Sequence, residues 1–363
     1  MSQRPPQRST SRSGARSGAR RSAPSRSSRE ARRRKQLRRR RSAIVAVALA
    51  SILLLVIGTA FIYGMSLWNK IDFKTRDDFT LLNSVPLNEN EFVSENTIEN
   101  MAGVDFGTGE IRSDSQIRNI LLIGADADSG GYGRSDSMLL VSIDDKTGTL
   151  KLTSFLRDTY LKIPGQQDNR LNAAYAIGGP ALLMETIEQN FRIRIDNYVK
   201  VDFDTFPQVI NTLGGVTIEL TQREADHLNE QFGAGAFCAG DNPMNGEQAL
   251  AYARIRKLDS DFGRTQRQRN VIEALIYKFR TSNVGTMLSV LEQLLPLIQT
   301  DIPGGDRLSL VTRAPQILQY PVEQMSVPGT SSFTNEVIRN MAVLVPDMEQ
   351  NKTDLWEFIY GEA

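Results

Sequence analysis

Three clusters along the chain mix carboxylates with arginines at spacings that allow chemistry. The first is Gly124-Ala125-Asp126-Ala127-Asp128, followed past a Gly-rich stretch by Gly133-Arg134-Ser135-Asp136-Ser137. It lies between apolar runs at 120–123 and 138–143. Asp126 at the end of one strand and Asp136 at the start of the next can converge on one hard cation. The same residue types also serve ordinary turns. The second cluster, Phe155-Leu156-Arg157-Asp158-Thr159, closes a third apolar run. Its Arg-Asp pair is either a plain salt bridge or holds an anion-binding arginine at the carboxyl end of a sheet, where α/β proteins place ligands.

The third cluster is the densest. It reads Ala251-Tyr252-Ala253-Arg254-Ile255-Arg256, then Asp261-Phe262-Gly263-Arg264-Thr265-Gln266-Arg267-Gln268-Arg269. Arg254 and Arg256 are two apart and share a face only in extended chain, so the helix before them is expected to end. Arg264 and Gln268 are four apart and share a helix face. Val271, Ile272, Leu275 and Phe279 continue that face, so Arg264 and Gln268 head a buried stripe. A buried guanidinium there needs an anion. Arg267 and Arg269 fall off the stripe and are expected to be solvated.

Arginines, a few carboxylates and almost no other reactive side chain suggest phosphate chemistry with a divalent metal. Guanidinium forks match phosphate oxygens bidentately. A metal-carboxylate and arginine clamp can stabilise an in-line phosphoryl displacement with little covalent help. The single histidine, His227, excludes any mechanism needing two, and its setting reads as a solvated helix face. The single cysteine, Cys238, excludes an internal disulfide and a zinc site built on several thiolates. No Walker loop, kinase signature or GxSxG elbow is present.

The elements that must position these clusters follow a marked asymmetry of charge. Residues 1–41 hold 16 of the 43 Lys+Arg but only one of the 42 Asp+Glu, Glu30, so a cationic tail precedes an acidic body. Residues 42–69 carry no charge, and 43–65 are mostly apolar, long enough to span a bilayer and too long for a signal peptide. Tyr63 and Trp68 suit interfacial anchors, and the basic run beside the span places residues 1–41 in the cytoplasm. That run is expected to touch anionic membrane lipid, with no specific nucleic acid as partner, because no base-reading module accompanies it. Residues 70–117 read as a stalk or small accessory segment, and 118–363 as an extracytoplasmic domain. Within it the patterns predict strands at 120–123, 138–143, 150–155, 198–203 and 216–220, the second and third forming a hairpin. Helices are predicted at 180–190, 247–253, 265–280, 286–298 and 306–318. The fold class expected is α/β: a single domain with a central mixed β-sheet flanked by helices, preceded by one transmembrane helix.

Six segments in order resemble the LytR–CpsA–Psr proteins of Gram-positive cell envelopes. They are 119–126, 134–138, 154–159, Leu171-Asn172-Ala173-Ala174-Tyr175, Leu213-Gly214-Gly215-Val216, and 246–256 continuing to Gln268. The resemblance implies a membrane-anchored phosphotransferase with its catalytic domain outside. Such an enzyme moves a glycopolymer from polyprenyl pyrophosphate onto peptidoglycan through a phosphodiester, releasing polyprenyl phosphate. It implies Asp126 and Asp136 as Mg²⁺ ligands. Arg134, Arg157, Arg254, Arg256, Arg264 and Gln268 match pyrophosphate-binding positions, and Arg157 is also cast as catalytic. Asp261 matches an acid near the phosphates, acting as base for the attacking hydroxyl or as an orienter of arginine. An apolar tunnel for the lipid is expected from the segments around 180–190 and 265–280. Arg170 departs from the lysine expected there and keeps its charge. Two other readings use the same features: a polyprenyl-pyrophosphate phosphatase with water as acceptor, and a non-enzymatic lipid-binding or regulatory envelope protein.

Overall fold

The computed structural model describes residues 69–82, 104–125, 132–133, 135–202 and 206–361. The expected tail and nearly all of the expected span lie outside these residues. Among those described, no helix is long and apolar enough to cross a membrane.

The strands are β1 (Asp72–Phe73), β2 (Ile117–Ala125), β3 (Ser135–Asp144), β4 (Thr149–Phe155), β5 (Tyr160–Leu161), β6 (Asn169–Arg170), β7 (Asn197–Asp202), β8 (Val216–Leu220), β9 (Gly240–Met244), β10 (Ile298–Thr300), β11 (Val322–Val327), β12 (Phe333–Ile338) and β13 (Met341–Pro346). The helices are α1 (Leu171–Phe191), α2 (Phe206–Thr212), α3 (Gln222–Phe232), α4 (Gly246–Ala253), α5 (Asp261–Thr281), α6 (Val284–Leu294), α7 (Gly304–Ile317) and α8 (Met348–Tyr360).

Seven strands form one mixed sheet in the order β1-β10-β7-β2-β3-β4-β11. β2 runs parallel to β7 and β4 parallel to β11, while β3 is antiparallel to both β2 and β4. All four of β2, β4, β7 and β11 therefore end at the same edge. The β3–β4 hairpin closes as expected. Asp144 Oδ1 accepts from the amides of Lys146 and Thr147, and Gly148 adopts φ +69°, the conformation glycine supplies without a Cβ clash.

Side chains alternate across the sheet, and both faces are covered. Leu121 and Ile123 pack with Leu183, Ile187 and Phe191 of α1 and Leu355 of α8. Ile120 and Ile143 pack on the other face with Ile302 and Ile317. A separate β8–β9 ribbon shares a third apolar cluster with α2, α4, α5 and α6. This is the α/β fold with a central mixed sheet flanked by helices.

Several elements differ from the sequence reading. The helix expected at 180–190 is the second half of α1, which begins at Leu171 and kinks at Gly178-Gly179, with Pro180 opening the second half. Its Leu182, Leu183, Met184 and Ile187 are all buried. The described parts of 70–117 dock on the domain. β1 extends the sheet, Arg76 Nη1 pairs with Glu188 at 2.7 Å, and Phe79 packs edge-on to Tyr198. A two-residue strand and an ion pair need no hydrophobic period, so the polar composition concealed this docking.

Candidate functional site

The site lies at the edge where β2, β4, β7 and β11 end. Asp136 is the second residue of β3, and β4 delivers Arg157 two residues beyond its last, Phe155. α4 stops at Ala253, and Arg254 caps it at φ −95°, ψ 0°. Ile255 is then buried, while Arg254 and Arg256 are exposed on either side of it. This is the helix end their spacing predicted. α5 opens with Asp261 and carries Arg264 inward at 2 % exposure.

These side chains meet around Asp136. Arg157 Nη1 donates to its Oδ1 at 2.8 Å, and Arg256 Nη2 donates to its Oδ2 at 2.6 Å. Arg264 Nη2 reaches the Asp136 carbonyl at 3.3 Å and lies 2.8 Å from Asp261 Oδ1. Arg157 Nε lies 3.3 Å from Asp158 and 3.9 Å from Asp261. Arg170 Nε stands 3.5 Å from Asp158, so this arginine joins the rim of the network. A cavity of about 370 Å³ is lined by Asp136, Arg254, Arg256, Arg264 and Gln268, with Leu250 and Ala253. Asp126 and Arg134 lie outside the described residues. The chain positions beside them, Ala125 and Ser135, pair across β2 and β3.

The electrostatics separate the two carboxylates that face the arginines. Burial pushes Asp136 up, but Arg157, Arg264 and Arg256 outweigh it and hold the carboxyl below its usual range. Burial also pushes Asp261 up, and there it prevails over Arg264 and Arg157. Neighbouring acids driven apart in this way suit different roles. Burial lowers Arg264 despite Asp261 beside it. Its Nε and Nη1 and the Asp261 Oδ2 are buried without a hydrogen-bond partner among the described residues. Such groups are costly to leave unmade, and an anion with several oxygens would satisfy the guanidinium.

Asp136 has the chemistry of a Mg²⁺ ligand. It is ionised, its donors are hard oxygens, and each oxygen engages one guanidinium with lone-pair capacity remaining. Among the described residues no group of three His, Cys, Asp or Glu side chains converges on a metal position.

Arg267 and Arg269 correct an expectation. They are 2 % and 5 % exposed rather than solvated. Arg267 pairs with Asp259 at 2.7 Å and Glu224 at 3.3 Å, and donates to the Ile255 carbonyl at 2.9 Å. Arg269 donates to Gln324 at 3.1 Å; buried with no acid beside it among the described residues, its pKa is pulled down to about 10. The reason is that α5 is wedged between the sheet and the β8–β9 layer. A single-stripe reading assumes one covered face. The sequence names the Arg157–Asp158 pair, which forms, and the charge of Arg170, but not the meeting of Arg170 with Asp158; nothing in it signals Asp259 as the partner of Arg267. His227 sits on α3, half-buried, 3.7 Å from Glu230.

Fold and site together define an α/β domain that gathers arginines around Asp136 at the carboxyl edge of a mixed sheet. Residues 85–357 match the LytR_cpsA_psr family, and the chain belongs to that family. It is 34 % identical over 228 residues to the polyisoprenyl-teichoic acid–peptidoglycan teichoic acid transferase TagV of Bacillus subtilis (strain 168), covering 59 % of this chain and 57 % of TagV. It is 36 % identical over 203 residues to the regulatory protein MsrR of Staphylococcus aureus (strain COL), covering 54 % of this chain and 60 % of MsrR. The chain thus spans less than two thirds of the length of these curated relatives. A solved structure of TagT bound to LIIa-WTA aligns with a TM-score of 0.56 at 27 % identity, covering 72 % of this chain and 99 % of that one.

Proposed function

We propose that this chain is a membrane-anchored phosphotransferase that moves a glycopolymer from polyprenyl pyrophosphate onto peptidoglycan, leaving a phosphodiester and releasing polyprenyl phosphate. The observation that carries the reading is Arg264. It is a buried guanidinium with two nitrogens unpartnered among the described residues, beside Arg157, Arg256 and an ionised Asp136. The transferase name of TagV supports the same reading.

The arginine forks hold the pyrophosphate, with Gln268 a turn below Arg264 on α5. The N-terminus of this 21-residue helix opens at the site and adds its dipole, which favours an anion. As the bond to the polyprenyl phosphate breaks, charge builds on the departing oxygen, and the preset arginines stabilise it. Asp136 and Asp126 would hold Mg²⁺, which neutralises phosphate oxygens when bound. Asp261 takes the proton of the attacking hydroxyl or orients Arg264, 2.8 Å away. The prenyl chain is expected to lie in an apolar tunnel beside α1 and α5.

The full-length protein in detergent, given a lipid-pyrophosphate glycan, Mg²⁺ and peptidoglycan oligomers, should link glycan to oligomer through phosphate. EDTA should abolish the reaction, and without acceptor polyprenyl phosphate should be released only slowly. Hydrolysis indifferent to acceptor would favour the phosphatase. Tight lipid binding with no turnover would favour a regulatory protein, the class that the name of MsrR suggests.

Asp261→Asn separates the two roles of that acid. A base works only when ionised, so turnover should rise with pH through the raised pKa of Asp261. The asparagine variant should lose about 10²-fold in rate, together with that acidic limb. An unchanged limb on a slower enzyme would assign Asp261 to orienting Arg264.

Topology is testable with a residue already present. Cys238 is exposed and is the only cysteine in the chain. A membrane-impermeant maleimide applied to intact cells should label it. Ser28→Cys in a Cys238→Ser background should stay unlabelled until the cells are opened. The opposite pattern would put the site on the wrong side for a wall acceptor.

A further inference from the structure

A second cavity, of about 690 Å³, adjoins the 370 Å³ cavity and shares Leu250, Arg254 and Arg256 with it. It extends outward between α3 and α4, where His227, Glu230, Gln231, Phe232 and Glu247 line it. Asp136, Arg264 and Gln268 line only the smaller cavity, where the pyrophosphate is proposed to lie, so the larger one is left for a saccharide.

Its lining is graded. Arg254, Arg256 and Lys257 stand at the inner end beside the phosphate position, while Glu230 and Glu247 stand on the helices further out. Phe232 is held edge-on to Phe237, ring centroids 5.9 Å apart, and with Leu250 and Ala251 gives the cleft an apolar patch. An aromatic ring and a small apolar floor suit the C–H face of a sugar. Carboxylate and amide side chains accept and donate to its hydroxyl groups.

The charges choose between the two glycans of the reaction. A donor polymer with phosphate repeats would bring its negative charges against Glu230 and Glu247, exposed acids that give it no attraction and a small, water-screened repulsion. An uncharged saccharide meets no such penalty. The cleft also opens directly at Arg254 and Arg256, so a saccharide lying in it would place a hydroxyl beside the bound phosphates.

We propose that this cleft is the acceptor subsite, taking the saccharide strand of peptidoglycan; the inference rests on the transferase reading above. The acceptor hydroxyl oxygen bonds to the phosphorus that carries the glycan. The bond from that phosphorus to polyprenyl phosphate breaks, its electron pair leaving with the polyprenyl phosphate, and the hydroxyl proton passes to Asp261 where that acid is the base, or to solvent where it only orients Arg264. Positioning by the cleft would then supply much of the rate.

The test uses full-length protein in detergent with a lipid-pyrophosphate glycan and peptidoglycan oligomers. The double variant Glu230→Gln/Glu247→Gln changes only exposed side chains, and Phe232→Leu keeps an apolar group where the ring packs. The KM for the oligomer should rise about tenfold or more in each, a loss of acceptor binding. Release of polyprenyl phosphate without acceptor, and the Kd for the donor, should stay within about twofold, since groups that bind only acceptor leave both untouched. An unchanged acceptor KM, in variants whose circular dichroism matches the wild type, overturns the proposal. Weakened donor binding overturns it in favour of a donor subsite. If the wild type transfers nothing to any oligomer, the transferase reading falls first and the acceptor subsite with it.

Discussion

Arg264→Ala is expected to lower kcat/KM for glycan transfer by about 10²- to 10³-fold, the largest loss from any one site residue. Two of its nitrogens are buried without partners among the described residues, and Arg264 lines the cavity that Asp136, Arg256 and Gln268 share. Each charge-assisted hydrogen bond to an anion is worth about 1.5–3 kcal/mol, and about 1.4 kcal/mol corresponds to a decade in rate. Two such bonds sum to about 3–6 kcal/mol, or about 10²- to 10⁴-fold, and the neighbouring arginines that remain hold the loss to the lower half of that range. The fold should survive, because the acid left behind is Asp261, whose carboxyl burial already inclines toward protonation. Arg256→Ala provides the contrast. Its side chain is 55 % exposed, so water screens it and should limit the loss to about tenfold. Calorimetric titration with a polyprenyl pyrophosphate and initial rates of transfer read both variants. Arg264→Ala within threefold of wild type would sink the assignment of this arginine to the phosphates.

The positions of the site were legible because they coincide with breaks between elements. Apolar runs that stop at Gly124 and Phe155 mark strand ends, and the two-residue spacing of Arg254 and Arg256 requires extended chain. Both inferences concern local backbone geometry, which the sequence expresses directly. The strand at 216–220 was legible for the same reason, since Val216, Ile218 and Leu220 alternate with exposed Thr217 and Glu219. Its partner β9 reads Gly240-Asp241-Asn242-Pro243-Met244, which no strand propensity would select. It is a strand because β8 supplies the pairing. β11 shows the same limit: Val322-Glu323-Gln324-Met325-Ser326-Val327 is polar because it is the sheet's edge, and only its pairing with β4 defines it. Long-range partners decide such segments, and a single sequence does not carry them. The same reasoning accounts for α5. Its sequence shows one apolar stripe but not the second covering layer, β8–β9 with α3 and α4, and so places Arg267 on the surface.

Arg267→Ala is therefore expected to act on stability rather than on the phosphates. The guanidinium is 2 % exposed and holds Asp259, Glu224 and the Ile255 carbonyl together. Removing one member of a buried ion pair costs about 3–5 kcal/mol, because the partner charge is left uncompensated. The lower end, about 3 kcal/mol, applies here because Asp259 is 41 % exposed and can turn to water. Glu224, at 12 %, has less freedom. Urea unfolding followed by circular dichroism would register the loss, and Asp259→Asn should cost less by the same measure, about 1–2 kcal/mol, because Arg267 keeps Glu224 and the Ile255 carbonyl. The sign of the pH dependence follows from Asp259, which the hydrogen bond from Arg267 holds below its usual carboxylate range. Its contribution is complete above the ordinary carboxylate pKa of the unfolded chain and is lost as pH falls through the lower folded value. Arg267→Ala should therefore flatten stability against pH in that acidic window, relative to wild type. Transfer should fall only modestly where the variant remains folded, because the Ile255 carbonyl lies between Arg254 and Arg256 and loosening it disturbs their placement without removing either charge. A variant as stable as wild type, with a selective loss of pyrophosphate binding, would return Arg267 to the site and make the α5 packing described here the wrong explanation.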